Sequence, residues 1–479
     1  MSLYPCPFKV PLIFSTGTDE HGLKVAQAAE RAGEEPRAFC DRVSGEFRSV
    51  FDRCGVSYSS FLRTSSVSHM HTVQAVWREL ERRGQLYQAS YQGWYCTREE
   101  AFIPASQVSL QEEGRAVSTE TGSRLERSSE TNYMFRLSSQ RERLLQWLDK
   151  EDPVQPPLFR GQVLAWLQDE DMQDVSVSRP KERVPWGVQV PGDSSHTVYV
   201  WLDALCNYLT VTQGHDSPPS MVHVIGKDIL KFHAVYWPAL LSALSLPLPS
   251  RIQVHSHWTV EGVKMSKSLG NVVDPKDLIS KYSVDGVRYF LLREGVPEHD
   301  GDFSEARMVN VLNVELADTL GNLLNRATSA KINTDLVFPK PTYISDESSP
   351  NIKLLMDKLL RLQPCVSSHF DNFHFHSGIC HIMEVLRLSN LIVQEEQPWK
   401  LKSLNPERLN LILYLTLECL RISGILLQPI VPTLAGRLLD KLSIHDQYRH
   451  FDEAFPNAEF QVYPHKISPE KIILFNKFR

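Results

Sequence analysis

Val260-Glu261-Gly262-Val263-Lys264-Met265-Ser266-Lys267-Ser268-Leu269-Gly270-Asn271-Val272 places two lysines, Lys264 and Lys267, three residues apart in a short polar segment flanked by glycines. Glycine opens backbone conformations closed to other residues, so such a loop can shift. Paired ammoniums on a shifting loop can follow a migrating negative charge, as when a pyrophosphate leaves. The plain alternative is a solvated turn with two surface lysines.

The chain around it has 479 residues, enough for two to four domains with separate cores. Composition is that of an ordinary globular protein, 42% hydrophobic and 23% charged. A net charge of -6 gives no overall basic field, so a nucleic-acid ligand needs local positive patches. No uninterrupted apolar run approaches the ~20 residues of a membrane span. The 8 cysteines form no C-x-x-C pair, which argues against a zinc ribbon and for a reducing compartment. The first fourteen residues carry three prolines, one lysine and no arginine, unlike either a transit or a signal peptide.

Upstream of the lysine loop, Phe14-Ser15-Thr16-Gly17-Thr18-Asp19-Glu20-His21-Gly22 follows an apolar run and precedes a helical pattern, Leu23 to Ala32. A strand running through an acid-bearing turn into a helix is how an open α/β sheet builds a ligand crevice. Taken alone, Asp19 is equally well a helix-capping acid. A longer helix over Pro36 to Arg53 places Phe39, Val43, Phe47, Val50 and Phe51 at helical spacing and predicts one buried face. Tyr87 to Cys96 alternates as a strand does. Between Cys54 and Cys206 the chain has Cys96 alone.

Further on, Val198-Tyr199-Val200-Trp201-Leu202-Asp203-Ala204-Leu205-Cys206-Asn207-Tyr208 reads as a strand end and a helix. Trp201, Ala204 and Tyr208 fall near one line, at spacings of three and four. An aromatic core stripe explains that segment as readily as a pocket does. The next motif, His223-Val224-Ile225-Gly226-Lys227-Asp228-Ile229-Leu230-Lys231-Phe232-His233, is again strand, glycine turn, acid and helix. It suits a ribose hydroxyl pair held by Asp228, with His233 facing the crevice.

Together, from about Phe14 to Leu439, these segments resemble the methionyl-tRNA synthetases, most closely the organellar form of animals. Lys-Met-Ser-Lys-Ser in full is the signature loop of the class I aminoacyl-tRNA synthetases, with a chance frequency of ~1 in 1000 or less for a chain of this length. The resemblance implies an α/β fold: a class I synthetase Rossmann-like nucleotide-binding fold, truncated at its N-terminus, with a small connective-peptide insertion and a C-terminal α-helical anticodon-binding bundle. It divides the chain into a first catalytic half (1–86), a connective-peptide domain without zinc (87–196) and a second catalytic half (197–258). The signature loop and stem-contact region (259–305), the anticodon-binding domain (306–445) and a tail (446–479) follow.

The same resemblance assigns roles. Asp19 matches the aspartate that holds the methionine amino group, and Trp201, Ala204, Tyr208, Phe232 and His233 match the pocket around its side chain. A weakly polar thioether suits aromatic walls and one or two weak hydrogen-bond partners. Gly226 and Asp228 match the ATP ribose contact, and Lys264, Met265, Ser266, Lys267 and Ser268 the mobile loop, the two lysines being catalytic. Asn322, Arg326 and Trp399 match the anticodon contacts; an exposed tryptophan stacks a splayed base while arginine and asparagine read its edge. For Trp399 a helix-terminal packing role is the alternative. The implied reaction is ATP-dependent formation of methionyl-adenylate and its transfer to tRNA(Met), by a monomer in the mitochondrial matrix. ATP enters with Mg2+, and the chain has no zinc and no membrane partner.

Beyond Ala306 helical stripes dominate: Leu312, Leu316, Leu320 and Leu323, then Ile379, Ile382, Met383, Leu386 and Val393, then Leu411 to Leu427. Pro398, Pro406, Pro429 and Pro432 punctuate them. His369, His374, His376 and His381 gather near Cys365 and Cys380 without a spacing that converges on a metal. The tail past Lys441 carries no signal. The family's second signature, His-Ile-Gly-His, is absent, so the resemblance starts at the second strand. That predicts unpaired ladder groups beside a missing central βα unit and early melting. A tRNA-binding form with impaired catalysis is therefore the rival reading.

Overall fold

The computed structural model describes residues 12–96, 101–103, 108–110, 115–119, 122–169, 172–214, 220–266, 269–340, 349–456 and 464–479. They form two compact units, one from Ile13–Asp52 and Tyr58–Val254, the other including Arg53–Ser57 and His255–Arg479.

In the first unit, β1 (Ser15–Thr18) and β2 (Ser60–Arg63) pair in parallel, Ser15 opposite Ser60 and Thr18 opposite Arg63. A parallel pair needs a long crossover, supplied here by α1 (Leu23–Ala32) and α2 (Pro36–Arg53). The two strands approach so closely that a Cβ on Gly17 would stand 1.8 Å from the Leu62 carbonyl oxygen, so only glycine fits. Helix α2 has the expected span, but its inward residues are Cys40 and Ser44, and Phe47 is 51% exposed. Phe47 instead packs edge-on against Phe51, which in turn meets Phe61 on β2. The apolar stripe therefore lies along the rim of the helix, not its buried centre.

α3 (Val67–Arg82) starts at Ser66, whose hydroxyl accepts from the His69 amide, and buries Val73, Val76, Trp77 and Leu80 at i, i+3, i+4, i+7. β3 (Leu86–Cys96) runs antiparallel to β4 (Arg124–Phe135), from Leu86 opposite Phe135 to Tyr95 opposite Glu126. α4 (Arg141–Glu151) is followed by β5 (Val154–Gln155), α5 (Pro157–Gln168), α6 (Val200–Leu205), β6 (Val222–Gly226), α7 (Trp237–Ala243) and β7 (Arg251–His255). Strands β6, β7 and β5 form one sheet in that order. Along β6 the pleat turns His223 and Ile225 inward and leaves Val222 and Val224 exposed. The main core of this unit includes Trp77, Phe135, Leu144, Leu148, Leu240 and Ile252, and a smaller cluster gathers Cys96, Ala116 and Leu125.

In the second unit, β8 (Trp258–Val260) and β9 (Val263–Lys264) make a hairpin beside β10 (Gly301–Asp302). Its two turn residues, Glu261 and Gly262, both have positive φ (53° and 71°), the conformation that matches the twist of a two-residue hairpin. α8 (Pro275–Glu294) and α9 (Glu305–Val311) lead into a π-helical stretch, Leu312–Gly321, and α10 (Asn322–Ala327). α11 (Pro350–Asp371), α12 (Phe375–Glu396), α13 (Pro398–Leu404), α14 (Pro406–Leu427) and α15 (Pro432–Lys441) complete a bundle. Pro398, Pro406 and Pro432 each open a helix, where a missing N–H costs nothing. All three apolar stripes expected from the sequence are buried.

Inside this bundle Glu315 accepts from Tyr289 (2.6 Å), Arg293 (3.1 Å) and Arg387 (2.6 Å), tying α8 and α12 to the π-helical stretch. By mean hydropathy and length α14 is the one described helix able to cross a membrane, but 94% of its apolar window is buried in protein. Glu418 and Arg421 interrupt that run and pair bidentately, at 2.8 and 2.7 Å, with both side chains buried. The tail that carries no sequence signal is folded: His465–Lys466 pairs with Val337–Phe338, and Lys441 donates to the Ser468 and Glu470 carbonyls.

Candidate functional site

The loop after β1 is pinned on one side and open on the other. Buried Glu20 accepts two bonds from Arg63 (2.7 and 3.0 Å) and one from Thr18 (2.6 Å). Gly22, with φ 104°, turns the chain into α1 while its amide donates to the Trp186 carbonyl at 3.0 Å. The Trp186 indole donates back to the Glu20 carbonyl at 2.5 Å. Asp19, next to this clamp, keeps its side chain accessible to water. Behind it lies buried Asp203, on the same short helix as Trp201 and Ala204, accepting from His21 Nδ1 at 2.7 Å and His69 Nε2 at 2.9 Å. An ionised carboxylate only accepts, which fixes the proton on those two ring nitrogens.

The Asp203 charge acts on Asp19, so the two carboxyls do not ionise equally. Burial raises Asp203, but the bonds from His21 and His69 outweigh it and hold that carboxyl below its usual range. Desolvation, reinforced by the Asp203 charge, pushes Asp19 up to about 7. Although its side chain is accessible to water, Asp19 is ringed by protein atoms; water screens part of the effect, and its direction stands. A carboxyl in that position gains by accepting a cation.

Tyr208, His233, His223 and Trp237 form a closed aromatic cluster. Tyr208 Oη lies 2.6 Å from His233 Nε2, and its ring stands 4.3 Å from His223 and 5.5 Å from Trp237. Trp237 Nε1 donates to His223 Nε2 at 3.1 Å. Burial lowers both histidines, His223 to about 3, and raises Tyr208 to about 12, so the cluster is neutral near pH 7. Alongside, Trp201 packs on Tyr236 at 5.0 Å and Tyr236 on Phe232 at 5.4 Å, while the Trp201 indole donates to the Ser176 carbonyl. Phe232 to Tyr236 is a π-helical turn, which rotates Phe232 and His233 relative to a regular helix. Ala204 is half-buried. The structure thus brings Tyr208 to His233, and links Trp201 to Phe232 through Tyr236.

Gly226 closes β6, and Asp228 follows in a 3-10 turn, exposed just past the strand's carboxyl end. That is where ligands sit in open α/β sheets. In the second unit, Lys264 ends the hairpin and is exposed, with Met265 and Ser266 half-buried beside it. Lys267 and Ser268 lie outside the described residues. Asp302 braces the hairpin by accepting from the Gly262 amide (2.9 Å) and Thr259 (2.8 Å). Asn271 braces the far side, accepting from the Ser266 amide at 2.8 Å.

Also in this unit, a cavity of about 310 Å³ is lined by Asn325, Arg326, Ser329, Lys331, Ile332 and Trp399. Trp399, at the start of α13, is 47% exposed. Asn322 is exposed one helical turn before Arg326 on α10. Two cationic residues beside an open indole suit a stacked, negatively charged ligand.

The sequence reading missed Trp186, His21, His69, Asp203, Asp302, Asn325 and Lys331. A tryptophan before glycine and an aspartate inside the aromatic segment were the signals available.

A two-lysine loop, an acid-bearing strand–helix crevice and a helical bundle with an open indole define a class I aminoacyl-tRNA synthetase. The family model described as tRNA synthetases class I (M) matches residues 9–328, and the chain belongs to this family. It is 44% identical to the mitochondrial methionine--tRNA ligase of Bos taurus, with 96% of this chain and 83% of that one aligned. To the methionine--tRNA ligase of Rickettsia felis it is 36% identical, over 93% and 87%. The Mycobacterium tuberculosis methionyl-tRNA synthetase bound by methionyl-adenylate superposes with a TM-score of 0.90 at 35% identity, covering 98% of this chain and 93% of that one. The fold is that of the methionyl enzymes.

Proposed function

We propose that this chain is a mitochondrial methionine--tRNA ligase, using ATP to make methionyl-adenylate and passing the methionyl group to tRNA(Met). The observation that carries the reading is the neutral Tyr208–His233 cluster, in the same compact unit as a carboxyl, Asp19, that is held hungry for a cation. Methionine offers what these groups ask for, an ammonium for Asp19 and a weakly polar side chain for the aromatic walls of Trp201, Ala204, Tyr208, Phe232 and His233.

In the first step a methionine carboxylate oxygen attacks the α-phosphorus of ATP, and the bond to the pyrophosphate oxygen breaks. Gly226 and Asp228 hold the ribose, Mg2+ accompanies the phosphates, and Lys264 and Lys267, with Met265, Ser266 and Ser268, meet the charge on the departing pyrophosphate. In the second step a terminal ribose hydroxyl of the tRNA attacks the methionyl carbonyl and AMP leaves. Asn322, Arg326 and Trp399 hold the anticodon. Selectivity for methionine rests on pocket shape, because one methylene discriminates by only ~1–3 kcal/mol.

The test is ATP–pyrophosphate exchange with each amino acid in turn. Exchange stimulated by methionine and by no other natural side chain supports the assignment; stimulation by isoleucine, valine or leucine at a similar rate overturns it.

A further inference from the structure

We propose that the α11–α12 hairpin holds a transition-metal site built from Cys365, His369 and His381. Cys365 and His369 are spaced i, i+4, so both face one side of α11, and His381 comes from the facing turn of α12. Their ligand atoms lie within 4.8 Å of one another, the one such group of three among the described residues. The two imidazoles stack at 5.2 Å with 20° between planes. Tetrahedral ligation at Zn–N ~2.0–2.1 Å and Zn–S ~2.3 Å needs donors roughly 3.3–3.8 Å apart, so side-chain torsions must close the group by about 1 Å.

The donor set selects the ion. One thiolate and two imidazoles suit a borderline-soft cation such as Zn2+ and disfavour Mg2+ or Ca2+, which take oxygen ligands. Glu384, one turn past His381 on α12, places Oε2 3.7 Å from His381 Nδ1 and 3.1 Å from Lys358 Nζ. It either fills the fourth position on releasing Lys358 or orients the ligating imidazole, as carboxylates commonly do. All three ligands are half-buried, so an ion has a path from solvent. On ligation the Cys365 thiol gives up its proton to water. The ion fastens the two helices beside their connecting turn, on the helix that runs into Trp399.

The experiment uses the full chain, kept reduced and stripped with chelator, then titrated with Co2+ and back-titrated with Zn2+. One equivalent of Co2+ giving a thiolate-to-cobalt charge-transfer band, displaced by Zn2+, is expected. Cys365→Ser should remove that band, and His369→Ala or His381→Ala should weaken Co2+ binding at least ~100-fold. Cys380→Ser and His376→Ala should leave it unchanged. Zn2+ should raise the melting temperature of the parent chain and not that of His381→Ala, a melt that also reports whether the variant folds. No charge-transfer band, a band surviving Cys365→Ser, or equal Zn2+ shifts in both proteins would overturn the site.

Discussion

The Tyr208 hydroxyl donates to His233 Nε2 at 2.6 Å, and the far side of the ring fixes that direction. His233 Nδ1 donates to the Ile229 carbonyl at 3.0 Å, leaving Nε2 only able to accept. Burial keeps the imidazole neutral, so the pair presents a polar but uncharged edge.

Tyr208→Phe removes that donor and leaves a buried ring nitrogen unpaired, a cost of about 1–3 kcal/mol. The methionine KM in pyrophosphate exchange should rise roughly tenfold or more with the ATP KM unmoved. If both constants rise together, Tyr208 supports the fold and not the substrate.

Asp19 gives the site a pH dependence. Binding an ammonium requires the carboxylate, so methionine affinity should increase as pH climbs through about 7 and level off above it. For folding the sign is opposite. A carboxyl raised from 3.8 to about 7 stabilises the fold below its unfolded value, and that contribution is lost as pH rises through about 7. Asp19→Asn should therefore weaken methionine binding by about 10–100-fold, flatten its pH profile and raise the melting temperature at pH 8. Calorimetric titration across pH checks both halves, and an unchanged slope in the variant removes Asp19 from the binding step.

Asp302 reaches no substrate in this reading, yet it holds the Glu261–Gly262 turn from which the lysine loop extends. Asp302→Ala should lower exchange kcat about threefold to tenfold, with methionine KM little altered. Wild-type kcat would mean the hairpin keeps its shape without this brace.

Trp399 opens onto the cavity that holds Arg326 and Lys331. Trp399→Ala should cut aminoacylation kcat/KM for tRNA by about 10–100-fold and leave methionine activation intact, since one stacked base is worth ~1–3 kcal/mol. A parallel fall in activation would make it a packing residue.

What the sequence discloses is local. Tyr208 and His233 stood in short motifs with readable spacing, and the Leu312–Leu323 stripe announced its buried face. Asp203 was hidden inside such a motif because its partners, His21 and His69, are 182 and 134 residues away and meet it only through the fold. Phe47 misled for a related reason: periodicity marks a stripe, and the neighbours decide how deep it lies. The histidines near Cys365 showed no converging spacing in the sequence, because bringing His381 to Cys365 and His369 needs the hairpin. The tail gave no pattern because its place depends on backbone pairing with Val337–Phe338.

The buried Glu418–Arg421 pair has a meaning for the chain before it folds. Even with those two charges, Pro406–Leu427 has the length and mean hydropathy of a segment that partitions into lipid, and the pair is what opposes that step. Each charge at a helix centre costs about 2.5–3.5 kcal/mol on insertion, enough to keep the nascent helix in water until its partners arrive. An insertion assay on the isolated segment should show poor integration that Glu418→Leu with Arg421→Leu reverses; equal integration of both would deny the pair this role. On that account the pair is a penalty against insertion, carried within the core helix and hidden once the bundle closes around it.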